Sequence, residues 1–129
     1  MNDRPNAAEL LKAARDALAA EILPNLPEAL RYTGLMVANA LAIAERELAA
    51  GDTAVRAECE RLCRLLPECS AAVAAEGLSD VLARYNRQLA EDIRAGRFDG
   101  EQRGPLLQHL RATTEEKLAV SNPKALHGR

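Results

Sequence analysis

Residues 28–51 read EALRYTGLMVANALAIAERELAAG, and this stretch decides the fold class. It follows a proline and closes on a glycine, and residues 32–44 within it carry no charge. Apolar side chains recur every three or four positions, which is typical of an amphipathic helix, and they occupy two faces. Because a helix that is apolar nearly all round is normally buried, we predict that this segment is the central helix of the protein. One face comprises Leu30, Gly34, Val37, Leu41, Ala44 and Leu48, and the other comprises Leu35, Met36 and Ile43.

Proline and glycine divide the rest of the chain into further helical segments. Pro5 suits the first position of a helix, and Pro105 is predicted to begin the last helix. The predicted N-caps are Asp52 or Thr53 for the third helix and Ser79 for the fourth. We predict helices over residues 5–23, 52–66, 79–96 and 105–122, a short alanine-rich turn or helix over 68–76, and a charged loop over 97–104. The inward positions are predicted to be Leu11, Ala14, Leu18 and Ile22 in the first helix, Val55, Cys59, Leu62, Cys63 and Leu66 in the third, Leu78, Leu82, Tyr85, Leu89 and Ile93 in the fourth, and Leu107, Leu110, Thr114 and Leu118 in the fifth.

The composition favours the same fold class. Trp is absent, and the chain has two Tyr and one Phe, so its apolar mass comes mainly from Leu and Ala. Ala has the best intrinsic helix propensity, and short connections between amphipathic helices favour antiparallel neighbours. A chain of 129 residues fits one domain. We therefore predict an all-α, single-domain up-and-down bundle of about five helices over residues 1–129.

Charge and the absence of targeting segments exclude several classes of function. The net charge is −2 and the isoelectric point is about 5.7, so no basic stripe is present to neutralise a nucleic-acid backbone. The uncharged run over 32–44 is shorter than the roughly 18 residues that a membrane helix needs. No charged segment followed by an apolar run opens the chain. We expect a cytoplasmic protein that binds neither nucleic acid nor membrane and carries no cofactor.

Three cysteines suggest a metal site at first sight. Cys59 and Cys63 are one helical turn apart, and Cys69 follows six residues later. A structural zinc site needs four ligands, and the two histidines lie far away in sequence without a paired spacing. Since two of these cysteines fall on the predicted inward stripe, we interpret them as small core residues and predict no metal.

His109 is the one candidate for acid–base chemistry. It lies on the predicted fifth helix, with Glu115 and Glu116 on the following turns. No nucleophile, orienting carboxylate or metal partner is evident, so the favoured interpretation is a histidine at the surface or rim of the fold. The chain also lacks a glycine-rich phosphate loop and a nucleophile elbow.

Asn39 stands in the uncharged middle of the predicted second helix, between Val37 and Leu41. A buried amide without partners costs about 1–3 kcal/mol, so we expect a polar group to face it, with Asn86 and Arg111 as candidates. One interpretation is a polar contact that fixes the register of the helices. The other is a polar anchor in a ligand cleft between helices.

Several short motifs together carry a family resemblance. They are DRP at residues 3–5 with AELL at 8–11, VANALAI at 37–43 with REL at 46–48, and LRAT at 110–113 with KLAV at 117–120 and NP at 122–123. In these motifs, which cover nearly the whole chain outside residues 53–77, the sequence resembles a bacterial family described as domain of unknown function 6285.

The resemblance implies a stand-alone helical protein whose genes often lie beside those for acyl-CoA dehydrogenases and for kinases that resemble aminoglycoside phosphotransferases. It implies no activity and no catalytic residue. The polar members of the matching motifs become the binding candidates, and these are Asp3, Arg4, Asn39, Arg46, Arg111, Lys117 and Asn122.

Three functional hypotheses follow. The first is an interaction or accessory module that binds its own copy or a partner enzyme, because a bundle of short helices leaves part of an apolar helix exposed. The second is a small-molecule binder, with an acyl-CoA-type ligand suggested by the gene neighbourhood that the resemblance implies. The third is an enzyme that uses His109 with a carboxylate.

Overall fold

The computed structural model describes residues 3–128, and over this range the regular secondary structure is entirely helical. The prediction of an all-α protein of about five helices is confirmed, with six α-helices and three short helical turns among these residues. The α-helices are α1 (Ala7–Ala17), α2 (Glu28–Ala50), α3 (Thr53–Leu65), α4 (Cys69–Ala75), α5 (Leu78–Arg94) and α6 (Arg103–Ser121). A π-helical turn (Leu18–Ile22) and a 3-10 turn (Leu23–Asn25) follow α1, and a second 3-10 turn (Pro123–Leu126) follows α6.

The backbone contacts divide these residues into two compact units. Unit 1 contains residues 3–51 and Val120–Pro123, and unit 2 contains residues 52–119 and 124–128. The prediction of a single domain stays a prediction, and the two units are described separately. Across residues 3–128, no helix combines the length and the apolarity that crossing a bilayer requires.

Unit 1 begins with a capped helix. The side chain of Asn6 accepts a hydrogen bond from the Glu9 amide, and the Glu9 carboxylate accepts one from the Asn6 amide, both at 2.9 Å. This capping box satisfies two backbone donors and starts α1 at Ala7, two residues after the predicted position at Pro5. Pro24 was predicted to stop this helix, but it lies inside the 3-10 turn Leu23–Asn25, and the helical path ends one residue later.

Two glycines shape α2. Gly51 ends the helix with φ of 58° and ψ of −149°, a conformation that favours glycine, as the sequence predicted. Gly34 is buried, and a Cβ there would lie 2.5 Å from Leu26 Cδ1 and 2.6 Å from Leu23 Cδ2. Because Gly34 has no side chain, Leu23 and Leu26 pack directly on α2.

The prediction that α2 is the buried central helix is wrong. It packs against α1 along one side, and Gly34 is its one buried residue among those described. A single neighbouring helix covers one stripe of α2 and leaves the rest of its circumference exposed. Large apolar side chains therefore remain exposed along unit 1, namely Leu10, Ile22, Leu30, Tyr32, Leu35, Met36, Val37 and Leu48.

The core of the protein lies in unit 2. The inward stripe predicted for α3 is largely correct, because Cys59, Leu62 and Leu66 are buried. Phe98, from the turn after α5, completes this core although the sequence assigned it to a charged loop. The full cluster comprises Cys59, Leu62, Leu66, Cys69, Val81, Leu82, Leu89, Phe98 and Leu106.

The inward face predicted for α6 is wrong by one position. The buried residues are Leu106 and His109, whereas Leu107 and Leu110 are exposed. One residue corresponds to about 100° of helix rotation, so the predicted stripe lies to one side of the face that packs on the core. The starts of two helices also differ from prediction, since α5 begins at Leu78 without a cap from Ser79, and α6 begins before Pro105.

Candidate functional site

The exposed side of α2 is the first candidate site. We call it the α2 outer face and define it by Tyr32, Leu35, Met36, Asn39 and Ile43, which lie within about 100° of one another on the helix. Tyr32 is 75% exposed and Leu35 is 54% exposed, while Ile43 is half-buried. The face carries no charge, so it presents a continuous apolar strip with one amide at its centre.

The predicted environment of Asn39 is wrong. Its side chain is exposed instead of buried. The two expected partners have contacts within unit 2, where Asn86 donates to Glu58 at 2.9 Å and Arg111 lies 3.6 Å from Glu115. The burial of Asn39 and the burial of α2 were mispredicted for the same reason. A sequence pattern does not distinguish an apolar helix face that the chain covers from one that stays exposed.

Charged residues near the end of α2 have partners within unit 1. The guanidinium of Arg15 lies 3.1 Å from the Glu45 carboxylate, which links α1 to α2. Arg46 donates from Nε to the Val120 carbonyl at 2.6 Å, so this predicted site residue ties α2 to the final turn of α6. These contacts position the helices of unit 1.

The remaining residues suggested by the family resemblance do not gather into one site. Arg4 lies 3.9 Å from Glu9 at the start of α1, and Asp3 is exposed beside it in sequence. Lys117 and Asn122 are both exposed, the first on α6 and the second just beyond its end.

Arg111 belongs to a separate groove in unit 2. This C-terminal groove has a volume of about 490 Å³ and runs between α6 and the last 3-10 turn. Its walls are mainly apolar, with Arg111 and Glu115 as its charged members. The lining residues are Leu107, Leu110, Arg111, Thr114, Glu115, Leu118, Ala125 and Leu126.

His109 is buried, so the prediction of a surface or rim histidine is wrong. It is 3% exposed, and its Nδ1 atom has no hydrogen-bond partner. Burial lowers the pKa of His109, and the nearby positive charge of Arg61 lowers it further. The imidazole is therefore held neutral beside a small cavity of about 110 Å³.

The carboxylates expected to assist His109 have other partners. Arg61 donates through Nη1 and Nη2 to the two carboxylate oxygens of Glu116, at 2.9 and 2.6 Å. Arg61 also reaches the Thr113 hydroxyl at 3.3 Å. Glu115 lies beside Arg111 on the exposed side of α6. An arginine thus faces each of the two carboxylates.

The three cysteines converge in unit 2. The Sγ atoms of Cys59, Cys63 and Cys69 all lie within 4.8 Å of one another, and those of Cys59 and Cys63 are 4.0 Å apart. Cys59 and Cys69 are buried, as expected of core residues, and Cys63 is half-buried. Burial raises the pKa of the Cys69 thiol to about 12 and also raises that of Cys59.

A cavity of about 560 Å³ adjoins this thiol cluster. Cys59 and Cys63 contribute to its wall, and so do two arginines and one glutamate. The lining residues are Arg56, Cys59, Glu60, Cys63, Arg64, Ser70, Val73 and Leu78. The helical spacing of Cys59 and Cys63 is readable from the sequence, but the position of Cys69 beside them depends on the turn between α3 and α4.

Comparison with known proteins identifies the family and nothing more specific. No curated protein sequence and no solved structure matches the chain. The family model described as Domain of unknown function (DUF6285) matches residues 24–125, which include most of unit 1 and nearly all of unit 2. This match covers well over half of the sequence, so the chain belongs to the DUF6285 family.

Proposed function

We propose that this protein is a self-associating helical module in which two copies pair through the α2 outer face. The observation that carries the proposal is the exposure of large apolar side chains along α2, where Leu35, Met36 and Tyr32 are each about half exposed or more. Contiguous exposed apolar surface of this kind marks sites that are covered in the assembled state.

The small core of unit 1 supports the same conclusion. Among its described residues, Leu18 is the one large apolar side chain that is buried. Two packed helices bury too little apolar surface to offset the conformational entropy that ordering them costs. Two such hairpins joined face to face form a four-helix arrangement, which is a common solution for helices with one uncovered face.

The chemistry of the face favours a second copy as the occupant. In a two-fold dimer the same patch meets itself, so a charge near its centre would lie close to its own copy. The α2 outer face carries none. Asn39 lies near its centre, and an amide can both donate to and accept from an identical amide. Asparagine in such a position fixes the register of paired helices, at some expense in stability.

Sedimentation of the purified protein tests the proposal. We expect the unmodified chain to be a dimer and Leu35→Glu to be a monomer of unchanged helicity, because the variant would bury a charge in the interface. Leu107→Glu is the matched control, since Leu107 is 56% exposed compared with 54% for Leu35 but lies in unit 2. It should remain a dimer.

A partner enzyme covering the α2 outer face is the alternative occupant. That alternative predicts a purified chain that is monomeric at every concentration. A monomeric wild type, or dissociation by Leu107→Glu with no effect of Leu35→Glu, would overturn self-association through this face.

The C-terminal groove supports a second candidate function, which is the binding of a small apolar ligand with an acidic group. Its volume falls in the range of about 300–1,000 Å³ that is usual for ligand sites. Arg111 faces Glu115 through Nε, and its guanidinium has further N–H groups that can donate to an anionic head group. Acyl-CoA compounds are suitable probes. Thermal stabilisation of the wild type that is lost in Arg111→Ala supports binding in the groove, and equal stabilisation of both proteins excludes it.

A further inference from the structure

The turn between α3 and α4 gives the thiol cluster its shape. Cys59 and Cys63 lie on the same side of α3, one turn apart. The chain then reverses at Pro67, where the Cys69 amide donates to the Leu66 carbonyl at 2.9 Å. This turn places Cys69 at the start of α4 and brings its sulfur to the other two.

The sulfur positions suit a single ion bound by three thiolates. With metal–sulfur bonds of about 2.3 Å, the sulfurs around one ion are roughly 3.8–4.0 Å apart. The Sγ atoms of Cys59 and Cys63 are already 4.0 Å apart, and all three sulfurs lie within 4.8 Å of one another. A rotamer adjustment of less than 1 Å at the third sulfur would therefore complete the set.

We propose that Cys59, Cys63 and Cys69 form a three-thiolate site for a thiophilic closed-shell cation, either Cu⁺ or Zn²⁺. Thiolates select these ions over harder cations such as Mg²⁺ and Ca²⁺. Among residues 3–128, no further cysteine, histidine or acidic side chain joins the cluster. Three ligands suffice for Cu⁺, whereas Zn²⁺ takes water or another small ligand in a fourth position.

The surroundings of the cluster support this assignment. The adjacent cavity of about 560 Å³ reaches Cys63, which gives an ion a route to the sulfurs and leaves room for a fourth ligand. Arg56, Glu60 and Arg64 line the same cavity, so its charged lining residues carry a net charge of +1, which suits an anionic thiolate site. This proposal departs from the prediction of no metal. That prediction was argued from the four protein ligands of a structural zinc site, a requirement that a three-thiolate site does not have.

Binding involves no electron transfer. The ion forms three metal–sulfur bonds, and each thiol releases its proton to solvent. The competing explanation is that the cysteines are small residues that fill the core. That explanation accounts for the burial of Cys59 and Cys69, but it does not require the half-buried Cys63 to contribute its sulfur to the same point.

Titration of the reduced full-length protein with Cd²⁺ alone tests the proposal. We expect one ion per chain and an ultraviolet thiolate-to-cadmium charge-transfer band. Cys63→Ser is the principal variant, because Cys63 is half-buried and the substitution is small. It should weaken Cd²⁺ binding at least tenfold while circular dichroism stays unchanged. Ser70→Ala, which alters the same cavity wall without removing a thiol, should bind as the wild type does.

Further titrations assign the third ligand and the ion. Cys69→Ala should weaken Cd²⁺ binding as Cys63→Ser does, and its circular dichroism controls for loss of folding at this fully buried position. Competition of Cu⁺ and Zn²⁺ against colorimetric chelators then shows which ion is held more tightly. Absence of one-to-one Cd²⁺ binding, or wild-type affinity in a folded Cys63→Ser or Cys69→Ala variant, would overturn the three-thiolate site.

Discussion

Arg61 on α3 holds both carboxylate oxygens of Glu116 on α6, through hydrogen bonds of 2.9 and 2.6 Å. The two side chains are largely buried, with 21% and 28% of their surfaces exposed. A bidentate ion pair that is this buried has a fixed geometry, unlike most ion pairs at a protein surface. The pair therefore connects α6 to the helix that carries two of the three cysteines.

Removal of this guanidinium should destabilise the protein. We expect Arg61→Ala to lower the free energy of unfolding by about 1.5–3 kcal/mol, because the Glu116 carboxylate would lose both of its charge-assisted hydrogen bonds. Urea denaturation measures the change. Arg87→Ala is the control, since Arg87 is exposed on α5, and it should change stability by about 0.5 kcal/mol or less. Equal effects of the two substitutions would contradict the role given to the pair.

Stability should fall on acidification through the usual range of histidine titration. The pKa of His109 is lowered in the folded protein, so the unfolded chain binds more protons as pH decreases. The contribution of the neutral imidazole is complete above the unfolded pKa of about 6.5 and is lost as pH falls below it. The charged groups that act on His109 are Arg61 and Glu58 from α3, and Glu116 and Lys117 from α6.

Urea melts of wild type and His109→Gln at a series of pH values measure this effect. The variant should lose less stability than the wild type between about pH 7 and pH 5. His127→Gln, which changes an exposed histidine, should follow the wild-type curve. Parallel curves for wild type and His109→Gln would show that the buried imidazole does not control acid stability.

Core substitutions should distinguish the two units. Leu62 is fully buried, so Leu62→Ala should lower the free energy of unfolding by about 2–5 kcal/mol through lost burial and cavity formation. Leu10 on α1 is 56% exposed, and Leu10→Ala should cost much less. Thermal and urea denaturation of both variants check the difference. A comparable loss at Leu10 would show that its side chain is covered in solution.

Asn39 offers a direct probe of the proposed dimer. If two copies meet near this residue, Asn39→Cys should form an intermolecular disulfide under mild oxidation, because the two sulfurs would lie close together across the two-fold axis. Non-reducing electrophoresis measures the cross-linked fraction. The unmodified protein controls for its native cysteines, and Leu107→Cys controls for an exposed thiol in unit 2. Cross-linking no faster than in these controls would exclude Asn39 from the centre of an interface.

The sequence by itself predicted the helices, because their ends are set by local chemistry. Proline is unfavourable in a helix interior, so α3 ends before Pro67 and α6 ends before Pro123, and Gly51 adopts a backbone conformation that other residues avoid. The apolar stripe of α3 was also correct, since consecutive turns of one helix repeat the same pattern. These features depend on residues within a few positions of one another, which is the range that a sequence pattern describes.

The tertiary structure decided which of these patterns are covered. It alone showed that the α2 outer face is exposed, that α6 turns His109 inward in place of Leu110, and that Cys69 joins Cys59 and Cys63. Each of these depends on contacts between helices. An apolar side chain produces the same sequence pattern whether its own chain or a second copy covers it. The turn between α3 and α4 determines which cysteine sulfurs lie together.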